Sequence, residues 1–316
     1  MSVELKHFAV AAASLLGLAL SLPAAATPNI ETWHTASGAE VLYAPAPDLP
    51  MVDVRIAFDA GSARDGERPG LAAMTAGMLT EGAGGLDADT IAERIESVGA
   101  ELGTGADRDM AYASLRSLTD ANALRTALDI MTRVLAAPDF PTADLERVRA
   151  NTLVGLRRQQ QDPGSVASRA FYRAVFGQHP YATDPDGNLG SVAAMTRDEL
   201  VDFHRRYFTA PNATVAIVGA VDRAQAEVLA EVLTAGLPTG EPPPPLPPVA
   251  DLGGEAVERI DFPSSQTHLY MGQPGMRRGD PDYFPLYVGN HILGGSGMVS
   301  ILMDEVRERR GLSYSA

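Results

Sequence analysis

An alternation of strand-like and helix-like stretches between Glu40 and Ala235 most constrains the fold. Val52, Val54, Ile56 and Phe58 recur at every second position, which predicts a strand with one buried face. Ala39 to Tyr43 alternates in the same way, and Pro45, Pro47 and Pro50 mark the turn between the two. Ala100 to Ala106 and Met110 to Leu118 predict a strand pair around Asp107-Arg108-Asp109, and Thr214 to Val218 a further strand ahead of Gly219. Helices are predicted over Ala88 to Val98 with Asp87 as cap, Ala121 to Ala136, Thr142 to Gln161 with Thr142 as N-cap, Ser165 to Phe176, and Arg223 to Ala235.

Glu67 to Gly85 predicts one more helix. Pro69 can open it in the first turn, where a missing N–H costs nothing. Leu71, Met74, Met78 and Leu79 share one apolar face, and Gly82, Gly84 and Gly85 are expected to end it. By itself the stretch reads equally as an ordinary Ala-rich core helix. The word G-L-A-x-x-x-x-x-M, at Gly70, Leu71, Ala72 and Met78, resembles the M16 (pitrilysin/insulinase-type) metallopeptidases, whose helix reads G-x-A-H-x-x-E-H-M. In that family two His four residues apart grip zinc from one helix face, and the Glu between them activates the bound water. Here those His positions fall on Ala73 and Gly77 and the Glu position on Ala76. None has a donor atom or can accept a proton. The family's third ligand, a Glu on the helix before a D-P pair, falls on Val154 or Gly155, counted back from Asp162-Pro163. Glu146 lies on the same helix and reads as a solvated charge, since one carboxylate cannot hold zinc among Ala and Gly.

The resemblance runs through His179-Pro180-Tyr181, through Thr196, Leu200, Phe203, Tyr207 and Asn212, and into the strand before Gly219. This stretch is long and ordered, so it is more specific than the helix word. Near the C-terminus, Arg307 and Tyr314 match a second family signature, L-R-x-x-x-G-L-x-Y, with Val306 in place of the Leu. In the family these two lie across the chamber from the zinc and hold the substrate backbone and polarised carbonyl. The resemblance therefore implies a substrate-binding role for Arg307 and Tyr314, with the alternative of an exposed helix end and a core Tyr. Gly294 and Gly295 belong to a Gly-rich turn. It resembles a shortened form of the substrate-handling loop in the non-catalytic subunit of the mitochondrial processing peptidase, and it reads equally as a tight turn. His34, His179, His204, His268 and His291 show no metal-like spacing, and a structural role is expected for His179.

The fold implied is α+β of the M16/LuxS-like type: an antiparallel-rich sheet packed against helices, in two homologous halves. Residues 1–26 read as a signal peptide: Lys6 and His7 precede an apolar run from Phe8 to Leu22, then Ala24-Ala25-Ala26 forms an A-x-A cleavage site. The alternative is a membrane anchor, but the run is short and ends at Pro23. Residues 27–236 form the N-terminal-type domain with a degenerate zinc site, and 237–250 a Pro-rich extended linker. Residues 251–316 begin a C-terminal-type domain, expected to be truncated. Strands are predicted there at Val257 to Asp261 and Gln266 to Gly272, helices at Asp282 to Leu293 and Met298 to Arg310, and a last strand from Tyr314.

A net charge of -15 argues against nucleic acid as a partner and favours basic peptides. The absence of Cys removes any disulfide framework or lipoprotein attachment, which fits an exported, periplasmic chain. The leading function is a non-catalytic subunit of a heterodimeric periplasmic peptidase. Its partner would carry the H-x-x-E-H word and the zinc, and this chain would bind peptide without a cofactor and without stable membrane insertion. The alternatives are a binding or assembly scaffold of the same fold, and an active peptidase with atypical ligands.

Overall fold

The computed structural model describes residues 29–295 and 297–315, so the expected leader at 1–26 lies outside the described residues. Eight strands are described: β1 Glu31–His34, β2 Glu40–Pro45, β3 Met51–Phe58, β4 Gly82–Ala83, β5 Leu86–Asp87, β6 Glu101–Ala106, β7 Ala111–Leu118 and β8 Ala213–Gly219. The α-helices are α1 Leu71–Met78, α2 Ala88–Ser97, α3 Ala121–Ala136, α4 Thr142–Gln160, α5 Pro163–Phe176, α6 Leu189–Ala194, α7 Arg197–Tyr207, α8 Arg223–Thr234 and α9 Tyr283–Asn290.

Six strands form one sheet in the order β1-β2-β8-β3-β7-β6. Only β2 and β8 run parallel, and every other pairing is antiparallel. Val54 lies opposite Leu115 on one side and Ile217 on the other. The period-two residues of these strands therefore form one continuous apolar face. Val52, Val54, Ile56, Phe58, Leu115, Val215 and Ile217 are all buried there, on the side where α1, α3 and α8 pack, and α7 packs on α1. The opposite face is polar, with a two-point ion pair of Arg116 to Asp53 at 2.7 and 3.0 Å and Arg55 stacked on Tyr112 at 4.0 Å. The α+β, antiparallel-rich layer expected from the sequence is what the chain forms.

The short edge strand β1 was not legible in the sequence. Two boundary expectations also need correction. Gly82, Gly84 and Gly85 do not end α1, which stops at Met78 with Leu79 as its cap residue. Gly82 belongs to the β4–β5 hairpin, and Gly84 and Gly85, at φ 56° and 78°, make its two-residue turn. Thr142 is not the N-cap of α4. Pro141 holds that position, because the buried Phe140, at φ 47°, turns the chain inward just before it. No strand forms at 257–261, at 266–272 or at 314 among the described residues. Those segments run as irregular chain because no neighbouring strand pairs with them, and a lone strand leaves its backbone donors and acceptors unmatched. The predicted helix over 298–310 is likewise broken into a 3₁₀ turn, Gly297–Val299, and a π-turn stretch, Met303–Glu308. Across 297–310 only Ser300 and Met303 are buried, so no packed face holds a regular helix there.

The Pro-rich stretch after Leu237 runs as irregular chain and is held to the domain by a hydrogen bond from His179. His179 Nδ1 accepts from the Tyr181 N–H at 3.2 Å, so Nε2 carries the proton and donates to the Pro247 carbonyl at 2.9 Å. His179 thus has the structural role expected of it.

Candidate functional site

Helix α1 is anchored at its N-terminus by a side chain well outside it. Asp65 is 5% exposed. Its Oδ2 accepts from the Gly70 N–H at 2.7 Å and its Oδ1 from the Ala72 N–H at 2.8 Å. These are first-turn donors that have no partner within the helix. Burial pushes the Asp65 carboxyl up to about 7, while the N–H groups of Ala72, Gly70 and Leu71 pull the other way. Gly70, at φ 93°, packs its backbone on that of Gly187, at φ 80°. A Cβ on Gly187 would stand 2.4 Å from the Pro69 carbonyl oxygen, so the 184–188 turn can approach this helix end only as glycine. Asp65 escaped the sequence reading because it precedes its donors by five and seven residues, not the two or three of an N-cap.

The helix so anchored carries the degenerate positions. Ala76 is buried, Ala73 half-buried and Gly77 exposed, and a Cβ on Gly77 would meet nothing within 4 Å. Helix α4 packs against α1, with Thr152 Oγ1 3.6 Å from Met74 Sδ. On α4 Val154 is 44% exposed, and a Cβ on Gly155 would also stand in open space. The two helices that hold zinc in the resembled family are thus built and packed, but their ligand positions bear a methyl, a hydrogen and an isopropyl group. Zinc does not fit this chemistry. Glu146 forms a surface ion pair with Arg149 at 3.1 Å, as a solvated helix charge should. No group of three His, Asp or Glu side chains converges to hold a metal among the described residues. His204 is buried with Nε2 2.8 Å from the Leu135 carbonyl, and burial holds its pKa below the usual imidazole range.

Arg307 and Tyr314 come together, with the guanidinium carbon 4.6 Å from the centre of the ring. Arg307 also lies 3.3 Å from Glu308. Tyr314 is 85% exposed. Gly294 and Gly295 sit in a π-turn, His291–Gly295, and a Cβ on Gly294 would meet Leu302 at 3.1 Å. The geometry at Gly294 is accounted for by close packing in a turn.

This architecture defines a two-layer α+β domain of metallopeptidase type whose ligand positions are empty of donors. The profile described as "Insulinase (Peptidase family M16)" matches residues 40–184, and that described as "Peptidase M16 inactive domain" matches residues 194–316. The solved peptidase M16 inactive domain from Pseudomonas fluorescens is 40% identical, with a TM-score of 0.86 over 91% of this chain and 69% of that one. An "uncharacterized zinc protease" of Streptomyces coelicolor is 30% identical over 247 residues, 75% of this chain and 52% of the relative. The "non-peptidase homolog YmxG" of Helicobacter pylori is 26% identical over 304 residues, 95% of this chain and 69% of that protein. The chain belongs to peptidase family M16. It spans about half the length of the Streptomyces relative.

Proposed function

We propose that this chain is a non-catalytic, peptide-binding subunit of a heterodimeric periplasmic M16-type peptidase, with the zinc site on an H-x-x-E-H partner. One observation carries the reading: α1 is anchored and packed as a ligand-bearing helix, yet has Ala73, Ala76 and Gly77 in the ligand and base positions. Arg307 and Tyr314 supply the complementary half. Arg offers a planar fork of donors to a peptide carbonyl, and a Tyr hydroxyl can donate to a developing oxyanion. The match to an inactive-domain profile supports this role.

The test is reconstitution with an H-x-x-E-H chain encoded beside this one. Each chain alone should leave a peptide library uncut, and the mixture should cleave it. A purified chain that cleaves alone contradicts the reading. Co-purification with a non-M16 partner and no gain of cleavage would favour the scaffold alternative. Export is part of the same proposal: terminal sequencing of the periplasmic protein should begin at Thr27, and a retained Met1 in the membrane fraction would refute it.

A further inference from the structure

A cavity of about 900 Å³ is walled in part by the two segments that carry the degenerate ligand positions. Pro69, just before α1, forms one wall, and Leu156 and Gln159, just past Gly155 on α4, form another. Its size is that of a ligand pocket. Helix α5 lines it with Arg169, Tyr172 and Arg173, and the turn between β6 and β7 contributes Arg108. No sequence motif announces this site, because its walls come from segments far apart in the chain.

The cations in it are not equivalent. Arg169 is committed, donating to Asp184 and to Gln159. Arg108 is held flat on the Tyr172 ring, its guanidinium carbon 3.7 Å from the centroid. Its one hydrogen bond is a long 3.4 Å contact from Nε to the Tyr181 carbonyl. The terminal nitrogens of Arg108, and the whole guanidinium of Arg173, have no acceptor among the described residues. The carboxylates in the wall are already occupied. Asp184 is paired with Arg169, and Asp162 accepts from the Ser165 N–H at 2.7 Å with His268 beside it. In a chain of net charge -15, Arg108, Arg169 and Arg173 against Asp162 and Asp184 leave this lining one positive charge in excess. A stacked guanidinium also presents its donor fork in a fixed plane, which suits a carboxylate.

We infer that this cavity binds a carboxylate group of a peptide through Arg108 and Arg173. The inference rests on the peptide-binding reading above and adds a ligand class to it: peptides with a carboxylate at the bound position, despite the acidity of the chain as a whole. An acidic side chain and a free C-terminus share this chemistry.

The test measures fluorescence anisotropy of the full chain with three labelled peptides of otherwise identical sequence. One carries a central Glu and an amidated C-terminus, the second has Gln in place of Glu, and the third is the Gln peptide with a free C-terminal carboxylate. A carboxylate should tighten binding by about tenfold over the amidated Gln peptide. A gain confined to the first peptide identifies the side chain, and a gain confined to the third identifies the C-terminus. Arg173→Gln, an exposed position, should abolish most of the gain. Arg108→Gln should do the same and Arg108→Lys should retain part of it. Arg158→Gln, outside the cavity, should leave the gain unchanged. Equal binding of all three peptides overturns the pocket and leaves peptide binding standing. A gain that survives Arg108→Gln with Arg173→Gln, or that Arg158→Gln removes equally, overturns it too. Failure to bind any of the three removes the peptide-binding reading and the pocket with it.

Discussion

Tyr314→Phe should lower peptide turnover by the reconstituted heterodimer by about a hundred- to a thousandfold, the usual effect of losing one oxyanion donor. The substitution removes a hydroxyl and almost no volume. At 85% exposure the ring has little packing to lose, and its contact with the Arg307 guanidinium needs only the aromatic face, which Phe retains. Folding and subunit association should therefore survive, which sedimentation of the complex checks. Arg307→Ala should also reduce turnover, but it removes the partner of the Tyr314 ring as well, so the Phe variant is the cleaner experiment. Unchanged turnover in an intact Tyr314→Phe complex would make the ring a surface or packing residue and shift weight to the scaffold alternative.

Asp65→Ala should destabilise the domain by about 2–4 kcal/mol, because it strands two buried backbone donors at the start of α1. The loss should depend on pH. Burial raises the folded-state carboxyl to about 7, against roughly 3.9 in the unfolded chain. A raised folded value means that the folded protein holds a proton which the unfolded one has released. Its stabilising contribution is therefore complete below about pH 4 and is lost as pH rises through about 7. Denaturant titrations at pH 5 and pH 8 should show a larger gap between wild type and Asp65→Ala at pH 5. An equal gap at both values would mean that the N–H donors and the helix terminus outweigh burial and keep the carboxyl in its ordinary range.

The sequence was most legible where one physical period governs a segment. Val52 to Phe58 gave both the strand and its buried face, since alternation and burial have the same cause. The helix at Ala121–Ala136 was read to the residue because a broad apolar stripe runs its whole length. The degenerate positions Ala73, Ala76 and Gly77 were legible as a pattern missing its donors. What escaped depends on partners distant in the chain. β1 is a four-residue edge strand that exists through its pairing with β2. Asp65 reaches forward across a turn, and the Arg108–Tyr172 contact joins a hairpin turn to a helix. The strands predicted at 257–261 and 266–272 failed for the converse reason. Alternation announces a strand, but a sheet also needs a neighbour, and none pairs with these residues among those described.

We propose that this chain keeps the helices of a metallopeptidase without the side chains that would hold its metal. The most direct measurement is the zinc content of the purified chain after dialysis against a weak chelator, read by mass spectrometry beside a hydrolysis assay. The expected result is zinc far below one equivalent and no hydrolysis, with or without added metal. One tightly held zinc per chain, lost together with peptidase activity on strong chelation, would contradict it.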